Sequence, residues 1–314
     1  MPNFNGVWSL STQYQYVGDW PTAPSRAIIQ LANNADFVTL EFVDVGTSGN
    51  TTDFGDLSVS RVYVGAMGSS TRGVYSGGSP NASDQETDTI DYVTIASTGN
   101  ATDFGNLSAA RQLAAACSSN TRGLILGGSE SGGAVDTIEY VTIANTGNTT
   151  DFGNLIVASG QPGHHGAAAG SPTRGIFVGG DQNTIQYVTI ANTGNASDFG
   201  DMSGTLRLET ACSSNTRLVA HGFLGGAVVN TLEYITIANT GNSTDFGDLT
   251  AVGYNRGSTS NHILGLFIGG AGNDTNVIDK ITIASTGNAS DFGDLSANGN
   301  RRPSATSARH GGIA

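Results

Sequence analysis

TIEYVTIANTGNTTDFG, residues 137–153, recurs in six variants along the chain and determines its fold. The triplet Asp-Phe-Gly that ends each variant begins at six positions, spaced by 50, 48, 47, 47 and 46 residues: Asp53, Asp103, Asp151, Asp198, Asp245 and Asp291. In five copies a short apolar run that ends in a glycine pair precedes the variant, at Gly77-Gly78, Gly127-Gly128, Gly179-Gly180, Gly225-Gly226 and Gly269-Gly270. Six copies fill residues 25–314, and residues 1–24 lie outside them.

Each copy predicts four short β-strands. The run that ends in Gly-Gly and the segment 138–143 are rich in β-branched, aromatic and aliphatic residues, which favour strands. The turn at residues 145–148 contains Gly and Asn, which tolerate positive φ, and the Asp-Phe-Gly strand follows it. An Ala- and Ser-rich strand, as in residues 111–117, comes next. No segment shows capped helical periodicity, so the sequence predicts an all-β protein.

Four-stranded units that repeat every 46–50 residues predict a six-bladed β-propeller. The Ala- and Ser-rich strand is expected innermost, because blades crowd together near the axis. The first copy lacks this strand, since residues 25–31 already correspond to the Gly-Gly strand. Residues 302–308 at the other end resemble the missing strand. We therefore expect the C-terminal strand to complete blade 1 and close the ring, which removes two free sheet edges.

These repeats resemble those of kelch-type propellers, whose mark is a glycine doublet at the end of the second strand. The tryptophan found downstream in that family is absent from every repeat. The repeats also resemble kelch-like repeats in structural proteins of marine bacteriophages, including cyanophages. The opening Gly6-Val-Trp-Ser-Leu-Ser-Thr-Gln-Tyr-Gln15, with Trp20-Pro21 behind it, is similar to the openings of phage virion proteins. The resemblance implies a virion protein made in the host cytoplasm.

Composition excludes several classes of protein. The net charge is −13 and only 12% of residues are charged, which argues against nucleic acid as a partner. The first 25 residues show no secretory signal, and no apolar run is long enough to span a bilayer, so we expect no membrane insertion. Cys117 and Cys212 occupy the same position in non-adjacent copies, beyond bridging distance. We expect both to be buried, reduced thiols.

The repeated motifs predict structural roles rather than catalysis. Asp-Phe-Gly also occurs in protein kinases, but six copies exclude that function, and the motif partly resembles the Asp-box of sialidase propellers. We expect the Asp to accept hydrogen bonds from turn amides, Phe to pack between blades and Gly to allow close approach. Whether the Asp turns hold an ion stays open, although we expect no metal or cofactor. His164 and His165 lie near a predicted inner strand, where a channel-lining or turn role is expected.

Comparison among the copies predicts one cation per blade. Five copies have an arginine that opens the second strand, and Leu264 replaces it in the sixth. That copy has the only lysine, Lys280, where the others have an aromatic residue. The five arginines are Arg26, Arg72, Arg122, Arg174 and Arg217. An acid or its amide precedes the aromatic position, and we expect the cation to pair with it: Glu41, Asp91, Glu139, Gln186, Glu233 and Asp279.

Three classes of function compete for such a propeller. A propeller oxidase needs Tyr, His and Cys ligands around copper, and a sialidase needs clustered arginines with Tyr and Glu; the sequence assembles neither. A carbohydrate-binding propeller is the second alternative. We favour a non-enzymatic structural or adhesion protein whose loops, such as 79–88 and 129–136, bind a host-surface protein or glycan. Its 1–24 tail is expected to attach to other virion proteins through Trp8, Tyr14, Tyr16 and Trp20, and the alternative is that it plugs the channel mouth of its own propeller. The sequence leaves homo-oligomerisation open.

Overall fold

A computed structural model describes residues 25–32, 37–80, 85–156, 166–224, 227–271, 275–297 and 302–313. The described chain contains 25 β-strands, numbered in chain order, and no helix. Every strand pairing is antiparallel, and four-stranded units succeed one another as the repeats do. The chain is an all-β, six-bladed propeller, as the sequence predicts.

Blades 1–3 are separate sheets, each with four strands from the inner to the outer edge. Blade 1 contains β25 (Ser304–Ser307), β1 (Arg26–Gln30), β2 (Thr39–Asp44) and β3 (Thr52–Asp56). Blade 2 contains β4 (Gly65–Gly68), β5 (Arg72–Ser76), β6 (Thr89–Thr94) and β7 (Thr102–Asn106). Blade 3 contains β8 (Ala115–Ser118), β9 (Arg122–Leu126), β12 (Thr137–Thr142) and β13 (Thr150–Asn154), with a small hairpin of β10 (Ser129–Glu130) and β11 (Gly133–Ala134).

Blades 4 and 5 share one strand. Blade 4 contains β14 (Gly166–Gly170), β15 (Arg174–Gly179), β16 (Gln182–Thr189) and the first part of β17 (Ser197–Ser213). Blade 5 contains the last part of β17, β18 (Arg217–Leu224), β19 (Thr231–Thr236) and β20 (Thr244–Asp248). Blade 6 contains β21 (Gly257–Ser260), β22 (Leu264–Ile268), β23 (Val277–Thr282) and β24 (Ser290–Asp294). The continuous β17 merges two blades that the sequence predicted to be separate.

The C-terminal strand closes the ring. β25 pairs with β1, with Ala27 opposite Ser307 and Gln30 opposite Ser304. The Ala-, Ser- and Gly-rich strands also contact one another around the axis, as β25 does with β4 and β21. Both predictions, closure by residues 302–308 and small side chains on the inner strand, are confirmed.

The core consists of six apolar clusters between adjacent blades. In one of them Phe54 of blade 1 packs with Val64, Tyr75 and Val93 of blade 2. Phe54 is 2% exposed, and its counterparts occupy the same place in the other clusters. The Phe of each repeat therefore packs between blades, as predicted.

The ring has two faces with different connections. We call the turn face the side that carries the short connections from first to second strand and from third to fourth strand. We call the loop face the opposite side, with the connections from second to third strand and the segments that cross to the next blade. The turns at residues 96–101 and 144–149 illustrate the first kind, and residues 57–64 illustrate the crossings.

Candidate functional site

The turn face holds a hydrogen-bonded latch between every pair of adjacent blades. The Asn50 side-chain oxygen accepts a hydrogen bond from the Asp294 N–H at 3.1 Å. The five other turn asparagines bind the adjacent blade in the same way: Asn100, Asn148, Asn195, Asn242 and Asn288. The N–H of the preceding glycine donates to the Phe carbonyl of that blade, as Gly99 does to Phe54 at 2.8 Å.

Glycine is required in the Asp-Phe-Gly strand because the latch comes so close. Gly55 has a φ of 145°, and a Cβ atom placed on it would lie 2.5 Å from the Gly99 carbonyl oxygen. No side chain fits at that distance. The predicted close approach is confirmed.

The aspartates of these strands lie on the rim of the ring and are all exposed: Asp53, Asp103, Asp151, Asp198, Asp245 and Asp291. No described group donates a hydrogen bond to their carboxylates. The expectation that they bind turn amides is therefore wrong for the described structure. The asparagine that precedes each of them in sequence fills that role, because its side chain reaches the neighbouring blade.

Each strand-opening arginine is stacked on an aromatic ring. The guanidinium carbon of Arg122 lies 4.3 Å from the centre of the Tyr140 ring, and Nη1 donates to the Ile190 carbonyl of the next blade at 2.8 Å. The four other arginines do the same with ring distances of 4.2–4.8 Å: Arg26, Arg72, Arg174 and Arg217. Their predicted pairing with carboxylates is wrong. In blade 6, Lys280 lies 5.9 Å from the Phe292 ring and donates to Ser48 Oγ of blade 1 at 2.7 Å.

The acids of the central strands are buried and bind the preceding blade. Both Asp91 carboxylate oxygens accept hydrogen bonds from Ser58 of blade 1. Arg61, itself 0% exposed, forms an ion pair with Asp91 at 3.0 Å. Burial lowers the pKa of Arg61, and the charge of Asp91 opposes this shift. Because an unpaired buried charge is costly, this pair must remain intact in the folded ring.

The six acid or amide positions have different partners. Glu139 pairs with Arg111 at 3.5 Å, and Asp279 pairs with Arg256 at 3.7 Å. At the three other positions no described arginine pairs with the acid or amide. There, hydroxyl or backbone N–H groups donate, as Ser243 Oγ does to Glu233 at 2.6 Å and the Ile156 N–H does to Gln186 at 2.5 Å.

The axis of the ring is a narrow channel with a cavity of about 130 Å³. Residues 308–313 cross its turn end. His310 Nδ1 accepts a hydrogen bond from the Gly312 N–H, so Nε2 carries the proton and donates to the Gly68 carbonyl at 3.0 Å. A Cβ on Gly312 would overlap the Ser118 carbonyl. The channel is therefore covered at the turn face by the chain's own C-terminal segment.

Two blades differ from the others where this segment meets the inner strands. The last inner-strand residue is a serine in four blades, and its hydroxyl donates to the carbonyl of the preceding blade, as Ser260 does to Ser213 at 2.7 Å. Blades 2 and 4 have Gly68 and Gly170 instead, and the C-terminal segment approaches the ring at both. His310 is half-buried, yet its enclosure by the channel wall lowers its pKa to about 4.

The loop face differs from blade to blade. Blade 3 carries the β10–β11 hairpin, and blade 4 replaces it with a tight turn at Asp181, whose φ is 66°. The loop face carries three of the four exposed large hydrophobic side chains of the described chain: Val59, Val228 and Val252. Arg207 forms an exposed ion pair with Asp181 at 2.8 Å.

The remaining candidate residues fall into two groups. Cys117 and Cys212 are free and buried, as predicted, and burial raises both pKa values to about 12. His164, His165, and the tail residues Trp8, Tyr14, Tyr16 and Trp20 lie outside the described residues. Within the described ranges, no group of three His, Cys, Asp or Glu side chains could hold a metal ion. No helix in this part of the chain is suited to crossing a membrane.

Neither a protein-family model nor a curated protein matches the chain. The six-bladed ring is compatible with a kelch-like propeller.

Proposed function

We propose that this chain is a non-catalytic structural or adhesion protein of a bacteriophage particle, associated with its tail, fibre or neck. It presents a rigid propeller whose loop face binds a protein or the host surface. The phage assignment is supported by the resemblance of the repeats and of residues 6–15 to virion proteins. In this proposal residues 1–24 attach the propeller to other virion proteins.

The proposal that the propeller presents its loop face is supported by a difference between the repeated residues and the variable ones. The turn asparagines, the stacked cations and the central-strand acids all contact a neighbouring blade. The loop face instead varies in length and sequence, and it carries Val59, Val228 and Val252 in exposed positions. Variable loops on a rigid scaffold are a common basis for recognition.

The first experiment locates the protein. An antibody raised against the full chain is applied to particles of the encoding virus after density-gradient purification. The chain is expected to co-sediment with infectious particles and to be labelled at their tail or neck by electron microscopy. Recovery only in the soluble fraction of infected cells would contradict a virion role.

The second experiment tests which face binds. The triple variant Val59→Asp, Val228→Asp, Val252→Asp changes exposed loop-face side chains, and Ile263→Asp is its control on the turn face, where Ile263 is 63% exposed. Labelled full-length triple variant is expected to lose binding to host cells, while the control keeps it. Equal binding by the triple variant, the control and the unmodified chain would overturn recognition through the loop face.

A further inference from the structure

Charge is distributed unevenly between the two faces. Seven of the chain's 13 Lys and Arg side chains lie on the turn face: Arg26, Arg72, Arg122, Arg174, Arg217, Lys280 and Arg309. Among the described residues, Asp44 at the end of β2 is the only Asp or Glu at the strand ends and connecting turns of this face. The six exposed Asp-Phe-Gly aspartates lie farther from these turns, on the outer rim of the ring. The net charge of −13 therefore conceals one cationic surface, and local charge, rather than the total, governs contact with a ligand.

The stacked arginines retain unused donors. Each guanidinium uses Nη1 for the carbonyl of the next blade, as Arg122 does with Ile190. Nε and Nη2 of Arg122 form no hydrogen bond with any described residue. These two N–H groups form the planar fork that binds a carboxylate or sulfate in a bidentate manner. The aromatic ring and the carbonyl hold each fork in place before a ligand arrives.

Blade 6 indicates that the positive charge matters in addition to the stacking. Leu264 removes the arginine, and Lys280 restores a cation from the neighbouring strand. At 5.9 Å from the Phe292 ring, its ammonium group lies farther away than any of the stacked guanidinium groups. The charge is thus present in all six blades, whereas close stacking is present in five.

We propose that the turn face binds an acidic polysaccharide, a polymer whose sugars carry carboxylate or sulfate groups at regular intervals. A ring of single cations offers each anion only a weak contact. A polymer with repeated anions engages several of them at once, and such multivalent binding is far tighter than any one contact. This binding surface is separate from the loop face, so it does not depend on the proposed virion role.

The chemistry of the face favours a polysaccharide over a protein or a nucleic acid. Stable protein interfaces depend on buried apolar or aromatic anchors, and Ile263 is the only exposed large hydrophobic side chain among the described residues of this face. Single-stranded nucleic acids stack bases on aromatic rings, and one face of rings such as Tyr140 is already occupied by Arg122. Hydroxyl and amide groups of the turns suit sugars.

A cleft of about 480 Å³ between blades 3 and 4 offers a place for such a ligand on this face. At the boundary between blades 2 and 3, the Asn120 side chain accepts a hydrogen bond from the Ser70 N–H. Blade 4 has Pro172 at the position of Asn120, and a proline side chain cannot accept the corresponding bond between blades 3 and 4. The cleft is lined by Arg122 and, at its inner end, by Gly312. Arg122 is therefore the cation whose removal tests the cleft.

The test measures binding of the full chain to dextran sulfate, with uncharged dextran as the reference ligand. Lys280→Gln removes a charge without removing a close stacking contact, and Arg122→Gln removes the cation of the cleft. Each is expected to weaken binding about threefold, the range of an exposed charge contact, and the double variant about tenfold. Arg207→Gln, a cation exposed on the loop face, is the matched control and should bind as the unmodified chain does.

Three results would overturn the proposal. The first is equal binding to dextran and dextran sulfate, and the second is an unchanged affinity of the Lys280→Gln variant whose melting temperature is normal. The third is binding of a DNA duplex as tightly as dextran sulfate with the same dependence on Arg122, which would assign the face to nucleic acid. Arg122→Lys keeps the charge but removes the planar fork, so it should bind more weakly than the unmodified chain and more tightly than Arg122→Gln.

Discussion

The turn face and the loop face of the ring, called here its turn side and loop side, are held together by different kinds of contact. On the turn side all six boundaries use the same asparagine latch, for example between Asn50 and Asp294. On the loop side the central-strand acid has a buried arginine in blades 2, 3 and 6, and none in the described parts of blades 1, 4 and 5. Regular contacts thus hold the ring on one side, while each blade satisfies its buried polar group in its own way on the other.

This difference shows where the propeller tolerates sequence change. A latch made of a backbone N–H and a short amide side chain works wherever the turn geometry repeats. A buried carboxylate needs only enough donors, and arginine, serine, threonine or a backbone N–H can supply them. Because the loop side has several solutions, its segments can vary without opening the ring.

The largest loss of stability is expected from removing β25, the inner strand that closes the ring. A chain that ends at Leu295 lacks β25, leaves the edge of β1 unpaired and uncovers the turn end of the channel. We expect its melting temperature to fall by about 10 °C or more. Deletion of residues 1–24 is the control and should leave a folded, soluble propeller. An unchanged melting temperature for the shortened chain would show that β25 does not hold the ring.

Breaking the ion pair between Arg61 and Asp91 is expected to cause the next largest loss of stability. Arg61→Met leaves the Asp91 carboxylate buried with only its Ser58 donors, so we expect a loss of about 3 kcal/mol in the free energy of unfolding, measured in urea. The double variant Arg61→Met, Asp91→Asn recreates the amide found at Gln186 and should recover most of that loss. A double variant as unstable as the single one would show that the arginine acts by packing rather than by charge.

His221 makes the loop side sensitive to acid. It is 1% exposed, and burial, aided by the charge of Arg256, lowers its pKa to about 4, against hydrogen bonds to Thr231 and Gly253 that raise it. Between pH 6.5 and pH 4 the unfolded chain binds a proton that the folded chain rejects, so stability falls by up to about 3 kcal/mol as the pH is lowered. His221→Leu, which matches Leu126 of blade 3, should remove its share of this slope and leave the share of His310, whose pKa is also lowered to about 4. An equally steep profile in the variant would assign the acid sensitivity to other groups.

The repeat predicts much of this architecture because the residues that recur are the ones that make the same contacts in every blade. Ring closure follows from the strand missing in the first copy, and the roles of Phe54 and Gly55 follow from their recurrence. The partner of Arg26 is harder to infer, because Glu41 and Phe42 are adjacent and therefore point to opposite sides of the blade. Arg26 lies opposite Asp44, two residues beyond Phe42, which places it on the aromatic side. The register of β1 against β2, inferred from the sequence, would have placed Arg26 on the same side as Phe42.

Two features have no counterpart in the repeat. Arg256 reaches Asp279 from a position three residues later than Arg61 and Arg111 occupy in their copies, while Gly253 holds the corresponding place. The residues around His310 follow the last strand, so comparison among copies says nothing about them. Both depend on the space left by neighbouring blades, which the sequence pattern does not express.

The smallest expected effects distinguish the asparagine of the latch from the aspartate of the rim. Asn100→Ala removes the acceptor for the Asp56 N–H and should cost about 1 kcal/mol of unfolding free energy, a typical value for one hydrogen bond. Asp53→Ala changes an exposed carboxylate that no described donor binds, so it should stay within about 0.5 kcal/mol of the unmodified chain. Both variants are compared by urea unfolding in the same buffer. If Asp53→Ala proved the more damaging, the rim carboxylates would have a partner in the folded protein, and calcium added to the unmodified chain would then be the first condition to compare. The expected order instead identifies the amide side chain as the turn-side contact that holds adjacent blades together.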